Sequence, residues 1–240
     1  MQTLNNTNKI VADEDERRCE HCNRTFQRDS TLAKHLCEQK RRWLDRERPG
    51  NRIALGAWQQ YYRTCHPNKR NLDYASFQKS AYYTAFVKFG SYCVDVRAIN
   101  PGAYVIYLVR NRVPIDSWTS DRNYTRYLVE YMRVEDALEA VSRSMDIMLT
   151  LSQDENIALG DVLRFVNSNR ICHLIVSGQI SPWVLYHSDS GLEFLKGLNQ
   201  DQTELILDYI DPEKWQVKFL RSPEQVREVK SLLNEIYKRH

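Results

Sequence analysis

Glycine is scarce in this chain, and long apolar runs are absent. The 240 residues include eight glycines, and none of them forms the glycine-rich loop that holds phosphate groups in many nucleotide-binding enzymes. No segment approaches the ~18 uninterrupted apolar residues of a membrane helix, and the N-terminal residues lack the apolar run of a secretory signal. The sequence therefore predicts no membrane association and a location in the cytoplasm.

Catalytic motifs are missing as well. The sequence contains neither the His-Glu-x-x-His motif of zinc proteases nor the Gly-x-Ser-x-Gly turn of serine hydrolases. Cys172 and His173 are adjacent, but they lie in an apolar run, and we expect both to be core residues rather than a reactive pair. We therefore expect a non-catalytic protein without a small-molecule substrate. A nuclease whose carboxylates are scattered along the chain is the alternative.

The cysteines are few and unevenly spaced. Six cysteines among 240 residues include one Cys-x-x-Cys pair, Cys19 and Cys22, which is typical of a metal site rather than of a disulfide framework. Cys65, Cys93 and Cys172 stand alone in the sequence. We expect these three to be buried as small apolar side chains.

A histidine completes a recognisable pattern with this pair. His35 follows Cys22 after twelve intervening residues, with Phe26 and Leu32 between them. Two thiolates on a turn and an imidazole on the next helix suit a tetrahedral Zn²⁺ site, and Phe26 and Leu32 would form a core too small to fold without metal. From Cys19 to His35 this pattern resembles the C2H2 zinc-finger family, which implies a small ββα fold.

The fourth ligand departs from that family. The family's last ligand would fall at residues 39–41, where this sequence has Gln, Lys and Arg. Cys37 is the nearest candidate, but a spacing of one residue cannot keep two side chains on one face of an α-helix, so the helix is expected to unwind or tighten after His35. Cys65 or His66 from the next helix, or a water molecule, are the alternatives. The predicted Zn²⁺ ligands are Cys19, Cys22, His35 and Cys37.

Positive charge is concentrated in the first third of the chain. Residues 1–72 contain 15 Lys and Arg against 9 Asp and Glu, whereas residues 73–240 contain 19 against 22. Such an asymmetry indicates an anionic partner for the N-terminal part. The resemblance to the finger family implies that Arg28, Thr31 and Lys34 face the bases of DNA.

A basic stretch after the finger predicts further phosphate contacts. One finger covers about three base pairs, which is too few for selective binding, so this stretch would supply most of the affinity. The alternative is a solvated helix in which Asp45 and Glu47 offset the arginines, with the finger binding a protein. The predicted contact residues of the stretch are Lys40, Arg41, Arg42, Arg46 and Arg48.

Beyond the finger, apolar residues recur at spacings of three and four, which predicts a body of roughly eight to ten α-helices from Asp73 onward. Capping side chains before prolines predict helix starts at Pro101, Pro212 and Pro223. The fold class is therefore mainly α, with a small ββα finger at the N-terminus. The predicted organisation is a disordered tail over 1–17, the finger over 18–38, a basic helical linker over 39–72 and an all-α domain over 73–240.

A second, looser resemblance covers most of the chain. Cys19–Phe26, Ala85–Tyr92 and Ile180–Tyr186 are similar to segments of uncharacterised proteins of large tailed bacteriophages, in which one finger precedes a helical domain. This resemblance implies a bacterial host cytoplasm and no particular activity.

Two functional hypotheses follow. The leading one is an accessory protein of replication, recombination or transcription, whose finger binds DNA and whose helical domain binds another protein. The alternative is a structural or docking protein, such as a virion component, in which zinc only stiffens an N-terminal arm.

Overall fold

The computed structural model describes residues 17–68 and 70–239, with the side chains up to Lys238. The predicted disordered tail therefore lies, but for Arg17, outside the described residues. Within them the chain is mainly α, as predicted. The helices are α1 Asp29–Lys34, α2 Glu38–Leu44, α3 Pro49–Cys65, α4 Tyr74–Gln78, α5 Tyr83–Asp95, α6 Pro101–Arg110, α7 Asp121–Val134, α8 Ala137–Glu155, α9 Val162–Phe165, α10 Ser168–Val176, α11 Pro182–His187, α12 Asp189–Lys196, α13 Gln200–Ile210, α14 Pro212–Arg221 and α15 Pro223–Arg239.

The two strands of the expected ββα finger are not formed in the described part of the chain. One isolated antiparallel bridge joins Arg18 to Thr25, and the finger helix is α1, of six residues. Short 3-10 turns at Asp45–Glu47, Ile115–Ser117 and Leu159–Asp161 complete the regular structure. Among the helices of residues 17–68 and 70–239, none combines the length and the apolar character needed to cross a lipid bilayer.

The contacts of the described residues divide the chain into two compact units. Unit 1 ends at Ser91 and unit 2 begins at Tyr92, so the division falls inside α5. The four-part organisation derived from composition places its last boundary at residue 72 and stays a prediction.

The core of unit 1 is aromatic. The side chains of Trp58 on α3, Phe77 on α4 and Phe86 on α5 are fully buried, and the rings of Trp58 and Phe77 lie 5.4 Å apart. Helices α3 and α5 approach closely at Gly90, where an added Cβ would lie 1.9 Å from the carbonyl oxygen of Gly50. Only glycine fits between the two backbones at this point.

Unit 2 is a helical assembly with several buried tryptophans. α8 packs against α11 and α15, α10 packs against α13, and α6 packs against α7. Trp118, Trp183 and Trp215 are at most 1% exposed. Burying side chains of this size contributes on the order of 2–3 kcal/mol each, so unit 2 has the apolar core that its stability requires.

The predicted helix starts at Pro101, Pro212 and Pro223 are all confirmed. At the first two, the side chains of Asn100 and Asp211 accept hydrogen bonds from the first turn of the helix. The helix count was too low, because twelve described α-helices begin after residue 72. The extra ones include turns as short as α9, which has four residues.

Burial of the isolated cysteines and of His173 was only partly predicted. Cys93 and Cys172 are buried, whereas Cys65 and His173 are exposed. Cys65 is the last residue of α3, and His173 lies on the outer face of α10, opposite the buried Ile171 and Ile175. Neither position is reached by the apolar core.

Candidate metal centre

The first two cysteines of the candidate site lie on a tight turn. The backbone N–H of Cys19 donates to the carbonyl of Arg24 at 2.9 Å, and the N–H of Asn23 donates to the carbonyl of Cys19 at 2.8 Å. Asn23 adopts the left-handed conformation with φ of 58°, which asparagine tolerates better than most residues. This turn directs the Cys19 and Cys22 thiols to the same side.

The histidine follows the end of α1 instead of lying within the helix. α1 stops at Lys34, and His35 is extended with ψ of 120° while its N–H donates to the carbonyl of Leu32 at 3.0 Å. The helix was expected to change after His35, but it ends one residue earlier, and the backbone is already extended at His35. The chain is thereby free to turn the next cysteine back toward the imidazole.

Cys37 occupies the N-cap of the following helix. Its backbone is extended, and its sulfur accepts a hydrogen bond from the N–H of Lys40 at 3.3 Å. Two helices with an extended connection replace the single helix of the finger family. This arrangement explains how ligand candidates separated by one residue can reach a common point.

The four predicted side chains come together in one group. The ligand atoms of Cys19, Cys22, His35 and Cys37 all lie within 4.8 Å of one another. The sulfurs of Cys19 and Cys37 are 3.9 Å apart, and the sulfur of Cys22 lies 3.3 Å from Nε2 of His35. Zn–S bonds of ~2.3 Å place two sulfurs of a tetrahedron about 3.8 Å apart, so the Cys3His group has the dimensions of a metal site.

The backbone around the knuckle affects the two thiols differently. Burial works to raise the pKa of Cys19, but the N–H groups of Cys22 and His21 outweigh it, and the pKa lies below its ordinary value. For Cys22, the N–H of Arg24 lowers the pKa, whereas desolvation and the neighbouring thiols raise it, and the net pKa is raised. Hydrogen bonds from backbone N–H groups to sulfur are the outer-shell contacts that orient thiolate ligands.

We define the N-terminal module as residues 17–47, which surround this group. The module has very little apolar core of its own. Phe26 and Leu32 are half-buried, and the Phe26 ring lies 4.6 Å from the imidazole of His35. His21 lies 6.1 Å from the ring of Trp43 on α2. Cys19 is the one buried residue of the module. These contacts give the module a shape, but they leave most of its side chains in water.

The alternative ligands lie outside the group. Cys65 ends α3 and His66 follows it, both exposed, and neither belongs to the cluster of ligand atoms around Cys19. The imidazole of His66 lies against the rings of Tyr61 and Tyr62.

The residues predicted to contact bases are all exposed. Arg28 is the N-cap of α1, while Thr31 and Lys34 lie within it. Their spacing of three residues places them along one side of this short helix. These side chains are therefore accessible to a partner, and their contact with DNA stays a prediction.

The basic stretch after the finger is partly engaged in internal contacts. Arg42 pairs with Glu38, donates to the carbonyl of Gln78 and lies 4.2 Å over the ring of Tyr83. Such a guanidinium is a packing group of unit 1. Because Glu38 lies three and four residues before Arg41 and Arg42, the pairing could have been recognised from the sequence.

Two of the other four basic residues of the stretch are exposed, and two are half-buried. Arg41 and Arg48 are exposed and pair with Glu38 and Asp45, and surface pairs of this kind are worth only about 0–1 kcal/mol. Arg46 lies 4.3 Å over the ring of Trp43. Lys40 and Arg46 are half-buried.

Comparison of the chain with protein-family models, curated proteins and solved structures found no match.

Proposed function

We propose that the Cys3His group binds one zinc ion and that the N-terminal module so formed binds nucleic acid. The observation that carries the proposal is the convergence of three thiols and an imidazole within 4.8 Å. Thiolate and imidazole donors at tetrahedral distances favour zinc over the harder cations that prefer oxygen. With four protein donors, the site is of the closed, structural kind rather than the catalytic kind, which keeps a position open for water.

Nucleic-acid binding is supported by the charge of the module's surface. Arg28 at the N-cap of α1, Lys34 on α1 and Arg41 on α2 are exposed, and so is Arg48, which directly follows the module. Lys and Arg near phosphates release counterions, which makes the resulting affinity strongly dependent on salt. Arginine and lysine can also bind guanine edges. DNA is the partner that the resemblance to the finger family implies.

The wider role that we propose is that of a non-catalytic accessory protein of replication, recombination or transcription. In this role unit 2 would bind a protein component of the same machinery. The phage resemblance and the host cytoplasm stay predictions.

Zinc binding can be tested by metal stoichiometry. We expect about one zinc per chain in the parent and a clear loss in Cys37→Ser, because an alcohol does not replace a thiolate ligand. The matched control is Cys65→Ser, which changes an exposed thiol outside the group. Full zinc content in Cys37→Ser would contradict the proposed ligand set.

Nucleic-acid binding can be tested by mobility shift over a salt series. We expect Arg28→Ala and Lys34→Ala each to weaken DNA binding and to lower the salt slope by about one. The control is Arg227→Ala, which removes an exposed arginine from α15. A parent that does not bind DNA, or finger variants that bind as the control does, would refute the proposal.

A docking role is the second candidate, and a specific observation favours it. The module exposes Leu36 (58%), Trp43 (37%) and Leu44 (61%), and apolar side chains at a surface are typical of protein interfaces. A partner protein retained at high salt would support this role, since a phosphate-driven complex weakens steeply there. Loss of that partner in Leu44→Ser but not in Lys34→Ala would assign the module to protein binding.

A further inference from the structure

A cleft in unit 2 is lined by positive charge, although residues 73–240 as a whole carry more Asp and Glu than Lys and Arg. The cleft has a volume of about 470 Å³. One wall is the end of α7 and the other is a face of α14. Its lining residues are Arg133, Glu213, Lys214, Val217, Lys218 and Arg221. We call this feature the basic cleft.

Three of the four basic side chains make specific contacts with neighbouring residues. Lys214 pairs with Asp211 at 2.5 Å, and the ammonium of Lys218 lies 5.8 Å from the ring of Trp183. Nε of Arg133 donates to the carbonyl of Val129 at 3.1 Å. Lys218 and Arg133 are half-buried, while Lys214 and Arg221 are exposed. The side chains of Lys218 and Arg133 are therefore positioned before any ligand binds. The ion pair between Lys214 and Asp211 is a weak surface contact.

Positive side chains gathered in a concave surface strengthen the local field and attract anions. The lining contains four cations and Glu213, and Asp211 pairs with Lys214 beside it, so the cleft keeps an excess of two positive charges. Arginine and lysine are the side chains that bind phosphate oxygens most readily. The chemistry of the lining therefore favours a phosphate-bearing ligand.

The spacing along α14 favours an extended ligand over a compact one. Lys214, Lys218 and Arg221 are separated by four and three residues, which places them about 6 Å and about 4.5 Å apart along the helix axis. A row of this kind can face consecutive phosphates of a chain, whereas a single phosphate ion would engage only part of it.

We propose that the basic cleft is a second nucleic-acid-binding surface, which contacts the phosphate backbone. This inference rests on the proposed function, because it adds a contact on unit 2 to the one proposed for the N-terminal module. The residues predicted from the sequence to contact DNA all lie in the first third of the chain. The cleft requires α7 and α14 to meet, and a pattern in either helix alone does not predict that.

The test is fluorescence anisotropy of the full chain with a short labelled DNA strand over a salt series. In the triple variant Lys214→Gln, Lys218→Gln, Arg221→Gln we expect affinity to fall by at least about tenfold and the salt slope to decrease by about one for each phosphate that is no longer neutralised. The charge-matched control is Arg122→Gln, Arg126→Gln, Lys196→Gln, which neutralises exposed residues of unit 2 outside the cleft. We expect it to bind nearly as the parent does.

A charge-retaining variant separates charge from folding. Lys214→Arg, Lys218→Arg, Arg221→Lys should keep at least most of the parent's affinity, and a loss there equal to that of the triple Gln variant would overturn the proposal. Equal affinity of the triple Gln variant and its control would also overturn it. Inorganic pyrophosphate that binds the parent through these residues, without any effect of them on DNA binding, would exclude nucleic acid as the ligand.

The two proposals fail in different ways. If Arg28→Ala and Lys34→Ala lose DNA binding and the cleft variant does not, the cleft inference is wrong and the proposed function stands. If only the cleft variant loses binding, the cleft stands and the N-terminal module is not the contact. A parent that does not bind DNA contradicts both.

Discussion

The N-terminal module and unit 2 differ in what stabilises each of them. In the module, residues 17–47, Cys19 is the one buried residue, and four potential metal ligands lie within 4.8 Å. Unit 2 buries whole tryptophan and tyrosine side chains on many helices. A short segment cannot bury enough apolar surface to offset its conformational entropy. The comparison indicates that the module depends on the proposed coordination, whereas unit 2 depends on the packing of its buried side chains.

Metal removal tests this comparison most severely. Apparent binding energies of structural zinc are roughly 10–16 kcal/mol in zinc-finger peptides, so a chelator should unfold the module. We expect hydrogen exchange protection to disappear from α1 and the turn at Cys19–Arg24 and to persist in α8 and α11. Protection retained at Cys19–Arg24 after complete metal removal would show that the module has a stable fold without coordination.

A core substitution in unit 2 tests the other half of the comparison. The Trp215 side chain is fully buried, and its Nε1 donates to the carbonyl of Tyr209 at 2.6 Å. Trp215→Ala leaves a large cavity and an unpaired carbonyl, so we expect a loss of about 3–5 kcal/mol of unfolding free energy. Urea unfolding measures it, with Trp215→Phe as the milder control.

Zinc content gives the same variant a second readout. If packing and coordination are separate, folded Trp215→Ala should bind as much zinc as the parent. A parallel loss of zinc under native conditions would show that the two regions are not independent.

Gly90 on α5 and Gly56 on α3 allow the contribution of packing to be tested within unit 1, where a smaller effect is expected. A Cβ at Gly90 would lie 1.9 Å from the carbonyl oxygen of Gly50 and 2.8 Å from the nitrogen of Ala54, both backbone atoms. Gly90→Ala should therefore destabilise unit 1 by about 1–3 kcal/mol. Gly56 has nothing within 4 Å of an added Cβ, so Gly56→Ala in α3 should stabilise by up to about 1 kcal/mol.

Thermal unfolding of these two variants measures the difference. Opposite signs would show that the close backbone contact outweighs helix propensity at Gly90, whereas helix propensity decides the effect at Gly56. A destabilising effect at both positions would contradict the close approach of α3 and α5 as the cause.

Local chemistry explains what could be predicted from the sequence. The starts of α6, α14 and α15 depend on a capping side chain and the following proline, which are adjacent in the sequence. The expected convergence of Cys19, Cys22 and His35 likewise followed from spacings within a short segment. Such features need no knowledge of the rest of the fold.

Features that depend on distant contacts were missed. The guanidinium of Arg42 contacts Gln78 and Tyr83 from other helices of unit 1. The sequence alone therefore could not show that this side chain packs within the protein instead of facing a partner. Burial of Cys93 against exposure of Cys65 depends on which helix faces are covered. The course of the chain at His35 was predicted only in part, because the finger pattern assumes one helix where the structure has two.

The smallest expected effect concerns one imidazole in unit 2. Nδ1 of His187 donates to the carbonyl of Trp183 at 2.9 Å. Burial lowers the pKa of His187, the hydrogen bond to Trp183 works in the opposite direction, and the charge of Lys230 lowers the pKa further. The folded state therefore binds this proton less readily than the unfolded state, whose imidazole has a pKa near ~6.5.

The sign of the pH dependence follows from that difference. At a pH above the pKa of the unfolded imidazole, His187 does not lower the free energy of unfolding. As the pH falls below that pKa, the free energy of unfolding decreases, because the unfolded state then binds a proton that the folded state does not. His187→Gln should lose less unfolding free energy than the parent between about pH 7.5 and pH 5 in urea titrations. His173→Gln, which removes an exposed imidazole from α10, should keep the parent's profile. If His187→Gln loses as much stability on acidification as the parent does, His187 is not a source of the pH dependence, and unit 2 tolerates the charge beside Trp183.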